Sequence, residues 1–246
     1  MIALYSGTPG SGKSLHCAEK VRSHLKFYSD VIGTFHINEN CLFKNSKYQY
    51  TYVNIYSLSP TFLVSYAKTH KLKKGVEGSF LLVIDEAQRL FNSRTWNDKN
   101  RNDWITFFAE HRHLGFDIIL VSQNDRMLDR QIRALIEYEY VHRKITQFGI
   151  KGKLLSIFVG NFAYVKNWYP LKEKIDSAFF RADHRLFDFY NTFEDFSSDE
   201  DKGSGVPLSD SEKYLQKLQK IEKCALTDTT LKLYVNRFDY IDLLGA

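Results

Sequence analysis

Residues 7–14 read Gly-Thr-Pro-Gly-Ser-Gly-Lys-Ser and follow directly on a short apolar stretch, Ile2-Ala3-Leu4-Tyr5. A strand, then G-x-x-x-x-G-K-[ST], then a helix is the Walker A phosphate loop, and it restricts the chain to one broad class of α/β fold. The glycines let the backbone curl until successive amide N–H groups point inward at phosphate oxygens. The expected nucleotide-binding residues are Gly7, Thr8, Pro9, Gly10, Ser11, Gly12, Lys13, Ser14 and Leu15. Lys13 is placed to reach the β- and γ-phosphates and Ser14 to ligate Mg2+, while the helix opening there turns its positive end toward the anion. A Gly/Ser-rich turn that binds nothing requires neither the spacing nor the flanking elements. ATP with Mg2+ is the expected ligand.

The 246 residues suit one large α/β domain with a tail, and such a length buries a full core. Aromatic residues make up 15% of the chain, enough to suggest exposed aromatic surface as well as core. A net charge of +5 permits contact with nucleic acid or anionic lipid without requiring either. Cys17, Cys41 and Cys224 share no metal-ligand spacing and are expected as reduced thiols in a cytosolic chain. His111 and His113 stand two apart on an expected helix, so they cannot face one metal, and zinc is rejected. A core strand directly after Met1 argues against a leader segment. No run approaches the roughly 18 apolar residues of a membrane span, so a soluble chain is expected.

Strand-like and helix-like segments alternate. Apolar residues Leu15, Ala18, Val21 and Leu25 recur at helical spacing and predict a helix over 13–28. Strands are expected at 31–35 and 50–56, and a helix from Ser59-Pro60 to about 69. Residues 80–84 are a continuous apolar run, as in a strand covered on both faces, and 116–121 are expected as a second buried strand. Helices are expected near 86–91, 103–113 and 131–137. A strand is expected at 138–144, then a strand-rich stretch at 154–169 turning at Gly160-Asn161. This alternation predicts a mainly parallel sheet sandwiched by helices. The ATPase domain is assigned to residues 1–195. An acidic, apolar-poor linker follows at 196–212, then a helical tail at 213–246.

Leu81-Leu82-Val83-Ile84-Asp85-Glu86 supplies the second half of the site. A carboxylate at the tip of a buried strand can hold Mg2+ through its water shell, the role of Asp85, and Glu86 is placed to polarise the attacking water. The same pair also suits a charge pair at a helix start. An Asp-Glu pair predicts the additional-strand, catalytic-glutamate type of P-loop NTPase. In that type the strand after the Asp strand lies between it and the phosphate-loop strand. Here that strand is 116–121, and Gln123 at its tip is either a γ-phosphate sensor or a loop-capping amide. Arg94, Arg112, Arg130 and Arg133 crowd the next stretches. Arg112 and Arg133 bracket the Gln123 strand, so they rank first as charge stabilisers acting in cis or from a neighbour.

At these residues the chain resembles the zonula occludens toxin (Zot) family, the assembly proteins of filamentous bacteriophages. Residues 7–14 and 82–86 carry the resemblance with Phe-Asn-Ser-Arg-Thr-Trp-Asn-Asp at 91–98. Arg-His-Leu-Gly-Phe-Asp-Ile-Ile-Leu-Val-Ser-Gln at 112–123 and Asp-Arg-Gln-Ile-Arg at 129–133 complete it. The match extends over roughly the first 145 residues. Arg94 and Trp96 stand at family positions whose role the residues themselves do not define. The resemblance implies a pumping ATPase working as a homo-oligomer, often a ring, at the cytoplasmic face of the host inner membrane. It implies extrusion of single-stranded DNA, with phage coat protein and other assembly proteins as partners. Family members usually carry a membrane-spanning helix after this domain, so membrane attachment here is expected through a further segment or through partners. Three other readings stand beside this one: a DNA-packaging translocase of the same superfamily, a P-loop small-molecule kinase, and a nucleotide-dependent scaffold.

Overall fold

The computed structural model describes residues 1–27, 29–38, 48–70, 78–94, 101–181 and 184–190. The expected linker and tail, Cys41, Cys224 and Trp96 lie outside these residues. Eight strands form one sheet in the order β3-β2-β4-β5-β1-β6-β7-β8. They are β1 (Ile2–Ser6), β2 (Asp30–Gly33), β3 (Tyr50–Tyr52), β4 (Phe80–Ile84), β5 (Phe116–Val121), β6 (Tyr138–Lys144), β7 (Phe162–Trp168) and β8 (Glu173–Phe180). Strands β1 to β6 pair in parallel, and β7 and β8 are added antiparallel at one edge. The strand β5 lies between β4 and β1, as the Asp-Glu pair predicts.

Alternate residues of the central strands feed two cores. On one face Leu4, Leu82, Ile84, Ile118 and Leu120 pack beneath α2 (Pro60–His70) and α3 (Arg101–Glu110) through Phe62, Leu63, Trp104, Phe107 and Phe108. On the other, Tyr5, Leu81, Val83, Ile119 and Val121 pack beneath α1 (Lys13–Phe27) through Cys17, Ala18, Val21 and Leu25. Phe189 of α6, a short helix over His184–Phe189, joins this second core. Burial on both faces is why β4 reads as an unbroken apolar run and why β5 does apart from Asp117, which pairs with the amino terminus at 2.8 Å. Both match the expected bounds, as does β6.

The stretch after β6 departs from expectation. Residues 149–159 form helix α5 (Gly149–Val159), and only β7 from Phe162 onward is strand. Leu, Ile, Phe and Val in a short run do not distinguish a helix from a buried strand. Ile150, Leu154, Ile157 and Phe158 are all strongly exposed and fall on one face at helical spacing. The expected helix at 86–91 contracts to a 3-10 turn, Ala87–Arg89, and that at 131–137 to α4 (Arg130–Ala134). Strand β8 has no counterpart in the sequence reading, because its residues are mostly exposed and lack a clean period.

Candidate nucleotide site

The phosphate loop leaves β1 at its carboxyl end and enters α1 with His16 N–H donating to the Gly12 carbonyl at 3.0 Å. Two glycines are needed where they stand. Gly7 has φ 143°, and a Cβ there lies 2.5 Å from the His142 carbonyl oxygen. Gly12 has φ 93°, and a Cβ there lies 2.7 Å from the Phe162 ring. Both conformations and both close approaches exclude a larger residue. The Gly7 N–H donates to the Gln123 carbonyl at 3.2 Å, which ties the loop to the tip of β5.

Lys13 is buried, and its ammonium donates to the Gly7 and Thr8 carbonyls at 2.8 and 3.1 Å. Those bonds use two of its three donors and aim the group into the curl of its own loop. Burial lowers the Lys13 pKa, opposed by the nearby charges of Glu86 and Asp85. The Ser11 hydroxyl is wholly buried in the loop with no hydrogen-bond partner. A buried donor left unpaired costs about 1–3 kcal/mol. A phosphate oxygen in the cradle satisfies it, so these residues fit a bound polyphosphate.

Asp85 and Glu86 follow β4 at the same end of the sheet. Asp85 N–H donates to Thr34 Oγ1 at 2.9 Å, a bond from the tip of β4 to the tip of β2. Asp85 Oδ1 accepts from the Glu86 N–H at 2.9 Å and Oδ2 from the Tyr190 hydroxyl at 2.6 Å. Burial and the Asp85 carboxylate raise the Tyr190 pKa, and the nearby Ser14 side chain opposes the rise. Ser14 and Asp85 thus both lie beside the Tyr190 phenol, and their oxygens are of the kind Mg2+ takes. Burial raises the Asp85 pKa; the Tyr190 hydrogen bond and the Lys13 charge oppose the rise. Glu86 stands in the left-handed region at φ 48°, and Gln88 Nε2 donates to its carboxylate.

Behind the loop, His142 Nδ1 lies 3.2 Å from the Ser6 carbonyl and His142 Nε2 lies 2.8 Å from His16 Nδ1. A carbonyl only accepts, so the proton sits on His142 Nδ1, and His16 Nδ1 donates to His142 Nε2. The His16 ring stacks between Tyr5 and Tyr164 at 4.7 and 4.6 Å. Sequence reasoning missed this brace, along with Thr34, Gln88 and Tyr190.

The remaining expected residues are less central. Gln123 is exposed at the tip of β5, and its contact with the loop is through its carbonyl. Arg112 precedes β5, at the opposite end of the sheet from the loop, and pairs with Glu137 at 2.9 Å. It is not part of its own chain's site. Arg133 lies on α4, half-buried, with its Nε unpartnered and Tyr169 nearby. Two family-like segments serve packing. Phe91 is fully buried against Trp104 and Phe108. Asp129 caps α4 through the Gln131 N–H and holds Arg101 at 3.0 Å.

The site is that of a P-loop nucleoside triphosphatase, and comparison with known proteins agrees in family. A family model for the zonular occludens toxin matches residues 1–193. The Gene 1 protein of Enterobacteria phage M13 is 30% identical over 175 residues, 65% of this chain and 49% of that protein. The Gene 1 protein of Salmonella phage IKe is 40% identical over 83 residues, 32% of this chain and 23% of that one. The chain thus spans about half the length of the curated relatives it matches. Among solved structures, the N-terminal domain of zonular occludens toxin from Neisseria meningitidis is similar at TM-score 0.49 and 22% identity. That alignment covers 77% of this chain and 97% of the other. With the family model spanning residues 1–193, the chain belongs to the zonular occludens toxin (Zot) family.

Proposed function

We propose that this chain hydrolyses ATP as the motor part of a filamentous-phage morphogenesis protein. In this reading it drives single-stranded DNA extrusion and virion assembly at the cytoplasmic face of the host inner membrane. The supporting observation is the convergence of Lys13, Ser14, Asp85 and Glu86 beside a buried, unpartnered Ser11 hydroxyl. The loop amides and Lys13 would hold the phosphates, and Ser14 and Asp85 would hold the metal. Mg2+ bound there would supply charge neutralisation at the phosphate oxygens. Glu86 orients and polarises the attacking water, and exclusion of solvent around Lys13 strengthens its pull on developing charge. Matches to phage Gene 1 proteins favour a phage motor over a small-molecule kinase. A homo-oligomer acting with coat protein and other assembly proteins is the working form in this proposal.

A purified-protein ATPase assay with and without single-stranded DNA tests the reading. Lys13→Ala is expected to weaken binding of a fluorescent ATP analogue by at least about tenfold, the worth of a charge-assisted hydrogen bond. Glu86→Gln is expected to keep binding and lose about 10²–10⁴ in hydrolysis, the range for a general base. Unchanged affinity in the first variant, or parental turnover in the second, overturns the assignment.

A further inference from the structure

We infer that the Tyr190 hydroxyl and the Mg2+ of a bound nucleotide compete for Asp85, so that metal–nucleotide binding displaces the end of α6. The inference rests on the nucleotide-site reading above. Tyr190 donates to Asp85 Oδ2 at 2.6 Å. The other Asp85 oxygen is committed to the Glu86 N–H. Mg2+ demands near-octahedral oxygen ligands at about 2.0–2.1 Å and keeps several waters. A metal with its water shell and a phenol hydroxyl 2.6 Å from Asp85 Oδ2 compete for the same carboxylate oxygen, so Asp85 serves one or the other.

The residue that must move is attached to a small element. Helix α6 spans only six residues and is anchored by Leu186 and Phe189. Phe189 accepts the Asn38 N–H at 2.9 Å, and Tyr190 bridges Ile37 and packs edge-on against Phe35 at 4.9 Å. Swinging the Tyr190 ring away from Asp85 disturbs the bridge to Ile37 and the last turn of α6 while the central sheet stays in place. A competing account makes Tyr190 a positioning residue that orients Asp85 for the metal. The two differ in sign.

The test is binding of a fluorescent ATP analogue by the full chain as Mg2+ is titrated, in wild type and Tyr190→Phe. Competition predicts a Mg2+ midpoint about tenfold lower in Tyr190→Phe, the size of one hydrogen bond to a charged group. Binding in EDTA is expected to be equal in both. Hydrogen exchange on wild type supplies a second readout that needs no variant. Amides of 184–190 are expected to exchange faster with Mg2+ and nucleotide than with nucleotide in EDTA. A midpoint that is unchanged or raised in Tyr190→Phe overturns the inference, as does unaltered exchange over 184–190. Wild type that binds no nucleotide at any Mg2+ concentration overturns the site reading itself, an outcome distinct from the other two.

Discussion

Glu86 occupies the left-handed region at φ 48° and ψ 45°. For a residue with a Cβ that conformation costs about 1–2 kcal/mol. It redirects the chain into the 3-10 turn at Ala87–Arg89 and brings Gln88 within reach of the carboxylate. The Gln88 amide donates through Nε2, while its Oε1 is buried with no partner. A donated hydrogen bond stabilises the carboxylate charge and takes a lone pair that an attacking water needs. Gln88→Ala is therefore expected to raise turnover about fivefold, roughly 1 kcal/mol, with stability nearly unchanged because an orphaned acceptor leaves too. Steady-state kinetics and a thermal melt check it; lower turnover makes Gln88 a required support. Lys13, Ser14, Asp85 and Glu86 were legible in the sequence because each belongs to a local pattern. Tyr190 was not, because its partner Asp85 lies 105 residues away and no local spacing encodes that meeting.

At the scale of elements, the histidine pair fastens α1 to β6 across the end of β1. Burial pushes His142 down to about 4 and His16 to about 2, with the mutual His16–His142 repulsion a further cause at His16. Both are neutral in the folded chain at neutral pH, whereas in the unfolded chain they titrate near 6.5. Above about pH 6.5 the pair's contribution is fully present. As pH falls below that, the unfolded chain takes up protons the folded chain refuses, and stability declines toward the folded pKa values. Each histidine contributes a slope of up to about 1.4 kcal/mol per pH unit in that window. The melting temperature is expected to drop between pH 7 and pH 5, with His16→Gln losing about half of the histidine contribution to that drop. A drop equally steep in His16→Gln assigns it to other groups. Both histidines sit in elements the sequence located correctly, yet their pairing crosses 126 residues and stayed hidden. Helix α5 stayed hidden for a different reason: its exposed apolar face removes the amphipathic contrast by which a helix is read.

For the molecule as a whole, the sheet order separates the phosphate site from the arginines that flank β5 in sequence. With β5 parallel to β1, the carboxyl ends of β1, β4 and β5 share one edge, and Arg112 is left at the other. Sequence adjacency to the Gln123 strand made Arg112 look close to the phosphates, but the strand itself carries the two ends apart. Among the described residues Lys13 is the cation seated in the phosphate loop, and a second cation from a neighbouring copy is worth about 10³–10⁵ in rate where motors use one. Arg133 is half-buried on α4 with its Nε buried and without a partner, and its guanidinium is the candidate for that role. Specific activity is accordingly expected to rise with protein concentration. Arg133→Ala is expected to lose activity while still binding nucleotide. Mixing Arg133→Ala with Lys13→Ala subunits is expected to restore part of the activity, since an intact loop then meets an intact arginine at some interfaces. Arg112→Ala tests the same idea for the far end of the sheet, which reaches a neighbour's phosphates only if subunits pack head to tail. Activity independent of concentration, with no recovery in either mixture, assigns both arginines to their own fold: Arg112 to its pair with Glu137, and Arg133 to the surroundings of Tyr169.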